Sequence, residues 1–157
     1  MDNRISNQLE VINKLAELEN TIGLLYEAYR TQFPAYKSFW QSLADEEKEH
    51  ALWLEQLGDC VLKRQATLNE KRFNIFAAQS FLNYLQNELD NVGRKEVTII
   101  NAAAIALYME ESIMEHNFYE VVAGDSPELK KTFDSLTNAT QAHLLRVKTF
   151  LNQLKNS

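Results

Sequence analysis

The sequence predicts an all-α protein, a bundle of two antiparallel helix hairpins joined by a long crossover that carries a short extra helix. Three observations predict it. Only four Gly and two Pro interrupt 157 residues, and the stretches between them are rich in Ala, Leu, Glu, Lys and Gln, which lose little side-chain freedom in a helix. Apolar residues recur at alternating intervals of three and four along four of those stretches, the spacing of a helix face packed into a bundle. The breakers fall where helices would turn, with Pro at a start and Gly past an end.

Taken in order, the first helix is expected over about Ser6 to Gln32 and the second over Pro34 to Leu57, with Gly58 marking its end. The third is expected over Glu96 to Ala123 and the fourth over Pro127 to Leu154, turning at Gly124-Asp125-Ser126-Pro127 with Ser126 as N-cap. Between Gly58 and Gly93 lies a crossover of 34 residues, too long for a hairpin loop. Its second half, FNIFAAQSFLNYLQNELD, has helical composition and should form a shorter fifth helix. No linker or low-complexity stretch divides the chain, so one domain over residues 1–157 is expected. At 45% hydrophobic, a chain of this length buries roughly two thirds of the surface its unfolded form exposes.

The formal net charge of −6 argues against nucleic acid as a partner, because such binding needs many Lys and Arg to displace counterions. No segment reaches the ~18 apolar residues of a membrane span, and MDNRISNQLE lacks a basic region followed by an apolar run. A cytoplasmic protein is expected. The lone Cys60 forms no internal disulfide, and a cysteine-only metal centre needs four thiolates. Any metal must therefore be held by His and carboxylates.

Each of the four long helices has a stripe that is apolar at both ends and polar in the middle. In the first it runs Ile12, Leu15, Glu19, Ile22, Tyr26, Phe33, and in the second Trp40, Leu43, Glu47, His50, Leu54, Leu57. In the third it runs Ile100, Ala104, Leu107, Glu111, Glu115, Phe118, Val122, and in the fourth Leu129, Phe133, Leu136, Thr140, His143, Val147, Phe150, Leu154. The polar positions also match in height. Glu19 lies 15 residues before Pro34, while Glu47 and His50 lie 13 and 16 after it. Glu111 lies 14 before Asp125, while Thr140 and His143 lie 15 and 18 after it. At a common rise per residue these side chains sit level.

Six ionisable side chains are thus expected near the middle of one core: Glu19, Glu47, His50, Glu111, Glu115 and His143. Burying four carboxylates together costs many kcal/mol by desolvation and repulsion unless they are neutralised. Two divalent cations would balance four ionised Glu, with neutral imidazoles completing a mixed shell suited to Fe or Mn. Within Glu47-Lys48-Glu49-His50, Glu47 and His50 stand one turn apart on one face and suit a single ion or a bridge between two. The competing reading is a protonated hydrogen-bond network that specifies the fold without metal. Glu46 and Glu49 fall off the stripe and read as surface residues. His116 points about 100° away from Glu115 and is left outside the set. Trp40, Trp53, Phe33 and Phe39 read as core packing, and Cys60 as structurally incidental.

Three features together resemble the rubrerythrin-like members of the ferritin-like superfamily: Glu19 seven residues before Tyr26, the segment LADEEKEHALWL, and Glu111 eight before Tyr119 in EESIMEHNFY. The likeness spans essentially the whole chain and implies a ferritin-like four-helix bundle. It also implies a site of two iron ions, with Mn or Zn as alternatives, in which Glu19 is a terminal ligand and Glu47 and Glu111 bridge. His50 and His143 would each bind one metal, and Tyr26 and Tyr119 would orient the carboxylates. The family pattern places a second Glu-x-x-His in the fourth helix, but here its Glu position is Thr140. Glu115 is the candidate to take its place.

The function implied is a non-haem di-iron protein that reacts with O2 or peroxide, a ferroxidase or peroxidase of oxidative-stress defence. Rubrerythrins often carry a rubredoxin-like electron donor on the same chain. This sequence has no such four-cysteine segment, so an external donor or Fe(II) itself is expected to supply electrons. The alternative is a binding or interaction module with a degenerate site. The crossover carries Phe73, Ile75, Phe76, Phe81, Tyr84 and Leu85 on more than one face, which suits packing on the bundle and on a second copy, as in a homodimer.

Overall fold

The computed structural model describes residues 2–94, 96–116, 118–119 and 126–157. Among the described residues five helices follow in order: α1 (Asn3–Gln32), α2 (Lys37–Leu62), α3 (Ile75–Arg94), α4 (Ile99–His116) and α5 (Pro127–Lys155). Short 3-10 turns at Pro34–Tyr36 and Glu70–Arg72 precede α2 and α3. The arrangement is the all-α bundle expected, with no strand among the described residues. Helix α1 packs along α2 and α4 along α5, while the crossover helix α3 lies against α1. The expected end of the third helix at Ala123, with Val122 in its stripe and the turn at Gly124 and Asp125, lies outside the described residues. Among the described residues, no helix is long and apolar enough to cross a membrane.

Local chemistry accounts for the helix ends. The Asp2 carboxylate accepts from the Arg4 backbone N–H at 3.0 Å and caps α1, answering one of the donors a helix start leaves unpaired. Gly58 does not end α2, which runs on to Leu62. A Cβ at Gly58 would stand 3.6 Å from Ile12 Cγ2 and 3.8 Å from Leu9 Cδ2, so the glycine lies at the contact with α1 rather than at a turn. The helix closes instead through Gln65 N–H to Cys60 O at 2.8 Å and Arg64 N–H to Val61 O at 3.0 Å. That pair of bonds is a Schellman motif with Arg64 at the left-handed position, φ 58°, where glycine is the usual occupant.

Three of the four stripes read from the sequence form the core. Ile12, Leu15, Ile22 and Tyr26 of α1, Trp40, Leu43, Leu54 and Leu57 of α2, and Leu129, Phe133, Leu136, Val147 and Phe150 of α5 are all buried. Trp40 closes one end, its ring 5.0 Å from Tyr29, 5.8 Å from Tyr26 and 5.7 Å from Phe150. The fourth stripe is turned by about one residue. Ile100, Ala104, Glu111 and Glu115 are exposed, and the buried face of α4 is Ala102, Ala103, Ala106, Met109, Glu110 and Ile113. Helix α3 buries Ala78, Phe81, Leu82 and Leu85 and leaves Phe76 83% exposed.

Two glycines separate close approach from spare room. A Cβ on Gly23 would stand 3.3 Å from Glu47 Cβ and 3.7 Å from Ala44 O, so α1 meets α2 there at the height of the polar core. Gly23→Leu is expected to lower stability by about 1–3 kcal/mol through overpacking. Gly58→Ala, which meets only ordinary contacts, should raise it by about 0.5–1 kcal/mol through helix propensity. Urea unfolding of the two variants checks both signs.

Candidate metal centre

Four helices each bring ionisable side chains to the centre: Glu19 from α1, Glu47 and His50 from α2, Glu110 from α4 and His143 from α5, all buried. Their donor atoms fall into two groups, Glu19–Glu47–His50 and Glu47–Glu110–His143, with the atoms of each group within 4.8 Å of one another. His50 Nδ1 lies 3.3 Å from Glu47 Oε2 and 3.9 Å from Glu19 Oε2. His143 Nδ1 lies 2.9 Å from Glu47 Oε1 and 3.3 Å from Glu110 Oε1. Glu47 thus gives one oxygen to each group, and the imidazoles stack with centroids 5.3 Å apart.

Of the residues expected from the sequence, Glu19, Glu47, His50 and His143 meet here, and Glu111 and Glu115 do not. Both lie on the exposed side of α4, and Glu110 occupies the core place assigned to Glu111. The physical reason is that α4 is apolar nearly all round. In IINAAAIALYMEESIMEH two neighbouring faces carry comparable apolar character, and adjacent Glu110 and Glu111 offer either face a carboxylate. Periodicity alone does not separate them. Thr140 is buried one turn before His143, and its hydroxyl donates to Leu136 O of its own helix at 2.9 Å. Among the described residues the centre therefore holds three buried Glu and two His.

Hydrogen bonds to the carboxylates cross between the hairpins. Tyr26 of α1 donates to Glu110 Oε1 of α4 at 2.5 Å, and Tyr119, beyond α4, donates to Glu19 of α1. Burial and the Glu110 carboxylate push the Tyr26 hydroxyl well above its ordinary range, so it stays protonated and donates. Glu46, which the stripe leaves on the surface, is 44% exposed at its side chain but reaches inward. It lies 3.0 Å from His143 Nε2 and pairs with Arg146, whose guanidinium also donates to Ser42 Oγ at 2.5 Å. A carboxylate on Nε2 fixes the ring so that Nδ1 faces the centre. The signal available in the sequence was the placement of Glu46 and Arg146 one residue outside and one turn beyond the polar core.

Protons hold the cluster together when metal is absent. Burial pushes Glu19 well above the usual carboxylate range, with the neighbouring Glu47 charge adding to it. Burial also raises Glu110, against the pull of His143. Burial acts on Glu47 in the same direction, but hydrogen bonds from Glu19, His143 and His50 outweigh it and hold Glu47 well below that range. For the imidazoles burial works downward, and the carboxylates beside them overcome it. Glu19 and Glu47 raise His50 to about 10, and Glu110 and Glu47 raise His143 to about 11.

The donor set fits a metal pair. Glu110 Oε2 is buried with no hydrogen-bond partner, an atom that coordination would satisfy and whose burial otherwise costs free energy. Mixed carboxylate and imidazole donors suit Fe, Mn or Zn, and Glu47 offers one oxygen to the side of His50 and the other to the side of His143. Comparison with known families agrees, since the Rubrerythrin family model matches residues 17–151. The chain belongs to the rubrerythrin family. No curated protein and no solved structure matches it. The family assignment and the bundle support a ferritin-like metal protein, and the groups around Glu47 are the places among the described residues that could hold a metal ion.

The proton balance gives a measurable consequence for the metal-free chain. His50 and His143 bind protons more tightly when folded than at their ordinary 6.5. Their contribution is fully present below about pH 6.5 and is lost as pH rises through the folded values. The raised Glu19 and Glu110 act in the same direction, and the lowered Glu47 acts oppositely only in acid. The Tm of the chelator-treated chain is expected to fall between pH 6.5 and pH 10, a range given by the ordinary His value and that of folded His50. A Tm that climbs across this range contradicts the assignment.

Proposed function

We propose that this chain holds two iron ions at the Glu47 centre and reacts with O2 or peroxide, oxidising Fe(II) or reducing peroxide in oxidative-stress defence. One observation carries the reading: Glu47 gives one oxygen to each of two buried Glu, Glu and His groups. Glu19 and His50 would complete one ion's protein ligands, and Glu110 and His143 the other's. Bound iron would supply the electrons for the oxidant. Counted over the described residues, two neutral His and three ionised Glu would leave two divalent ions one positive charge in excess.

The chain's own groups define how such a centre works. Tyr26 and Tyr119 donate to the Glu110 and Glu19 carboxylates, which orients them and ties the two hairpins together. Glu46, steadied by Arg146, sets the face of His143. Burial of every donor excludes bulk water, which strengthens each electrostatic contact. Loading requires His50 and His143 to give up protons, so metal binding should strengthen with pH, as it does wherever ligands must deprotonate. An external donor or further Fe(II) would return electrons, and the expected homodimer belongs to the same proposal.

Thr140 favours a second reading, a metal-binding module without turnover, because among the described residues no fourth carboxylate joins the two groups and the Thr140 hydroxyl is spent on Leu136. Elemental analysis and turnover assays separate the two. On protein purified without chelator, two Fe per chain are expected, as the two groups imply. Glu47→Ala should lose both, Glu110→Ala should lose the ion beside His143, and Glu111→Ala should keep the full content. Repeated consumption of peroxide per site supports the enzyme, and reaction that stops after one filling supports the module. Absence of metal after anaerobic Fe(II) loading would sink both.

Thr140→Glu adds a test of the asymmetry. The new carboxylate stands one turn from His143 on the buried face and should tighten the ion beside His143 by about tenfold or more, the scale of one added ligand interaction. Competition with a metal chelator measures it, and unchanged affinity would show that residue 140 does not face that ion.

A further inference from the structure

A second polar concavity lies at the opposite end of α2 from the turn at Pro34, where the helix ends about 18 Å along its axis from His50 by its rise per residue. It is a cleft of about 1070 Å³ between the start of α1, the end of α2 and the segment leading to α3. Arg4, Arg64, Lys71 and Arg72 line it, and Glu70 is the one acidic side chain among its described lining residues. All four cations are exposed. The Lys and Arg ion pairs among the described residues are those of Lys14, Lys48 and Arg146, so none of the four is neutralised by one. The chain as a whole carries −6. Four cations gathered around one cleft of an acidic protein repel one another unless an anion answers them.

The cleft is also held in shape. Ala66 and Leu68 are buried in its floor, and the Leu68 N–H donates to Oε1 of the buried Gln8 at 2.7 Å, tying the segment to α1. The backbone at Arg64 carries the sharpest information. Position C′ of a Schellman motif favours glycine because a side chain there is strained, yet this chain places an arginine there, at φ 58°. Glycine would carry no such strain, and the side chain that stands there lines the cleft. Ser126, whose side chain caps nothing on α5, borders the same cleft.

We propose that this cleft binds a small, multiply phosphorylated anion. Guanidinium forks match phosphate oxygens in paired hydrogen bonds, and three of the four cations are arginines. The volume is of the order that pockets for small molecules and cofactors have, about 300–1,000 Å³. A long nucleic acid is disfavoured, because the net negative charge of the rest of the chain opposes phosphates that extend beyond the cleft. The site is independent of the metal centre and stands whether or not that centre turns over.

The test is isothermal titration of the whole chain with inorganic pyrophosphate and, separately, with inorganic tripolyphosphate and adenosine triphosphate, with bound metal measured before and after so that chelation is not mistaken for binding. Saturable binding at one site, weakened by added salt, is expected. Saturable binding of either supports the proposal; equal affinity shows that two phosphates suffice, and tighter binding of adenosine triphosphate than of both pyrophosphate and inorganic tripolyphosphate shows that the cleft also takes the nucleoside. Arg64→Gly should weaken binding by about tenfold or more, the scale of one charge-assisted pair, while its Tm stays at or above wild type. That second readout separates a lost ligand contact from a damaged fold. Lys37→Gln, at the other end of α2, should leave binding unchanged. No saturable binding at millimolar ligand, full affinity in Arg64→Gly, equal weakening in Lys37→Gln, or tighter binding of a single-stranded oligonucleotide would each overturn the proposal.

Discussion

The Glu47 carboxylate, buried at the centre of the bundle, is the constraint on which the rest of the structure depends. A charge removed from water must be answered by nearby positive charge or by hydrogen bonds, or the fold loses several kcal/mol. Around Glu47 the answer comes from three helices: His50 one turn away on α2, Glu19 on α1 and His143 on α5. Gly23 suits it too, since a Cβ there would press on Glu47 Cβ at 3.3 Å where α1 comes close to α2. The tyrosines then act as cross-ties, each reaching from one hairpin to a carboxylate of the other. Protons and metal ions are two ways of meeting the same electrostatic demand, and the family to which the chain belongs points to metal.

What could be read from the sequence follows from how uneven each helix is. On α1, α2 and α5 charged and apolar residues are well separated, so a single stripe explains each pattern, and Glu19, Glu47, His50, Thr140 and His143 were placed in the core on that basis alone. On α4 the contrast vanishes. Ala102, Ala103 and Ala104 offer apolar surface on successive faces, and Glu110 beside Glu111 offers a carboxylate to two of them. Choosing between faces needs the partner helices, because Tyr26 reaches across to Glu110 from a residue far away in the chain. Helix ends show the same limit: Gly58 has the composition of a stop and serves as a packing contact, whereas the true stop at Arg64 has no compositional sign.

Glu46 shows a different kind of illegibility. Half exposed and off the core stripe, it looks like one more solvated acid in a charged segment. Its reach to His143 depends on α2 and α5 lying side by side and on Arg146 drawing its carboxylate into place. A helix stripe says which residues leave the water. It says nothing of a side chain long enough to enter the core from the rim.

The two ligand groups differ in how far apart their members lie along the chain. Glu19, Glu47 and His50 belong to one helix hairpin, whereas Glu110 and His143 join Glu47 only once the second hairpin has docked on the first. Closing a short loop costs less entropy than closing a long one, and contacts between near neighbours form sooner. During synthesis the first half of the chain would therefore already own one complete set of donors before α5 exists. The shared carboxylate makes the early hairpin a template: the second half has only to bring one glutamate and one histidine to an oxygen already in position.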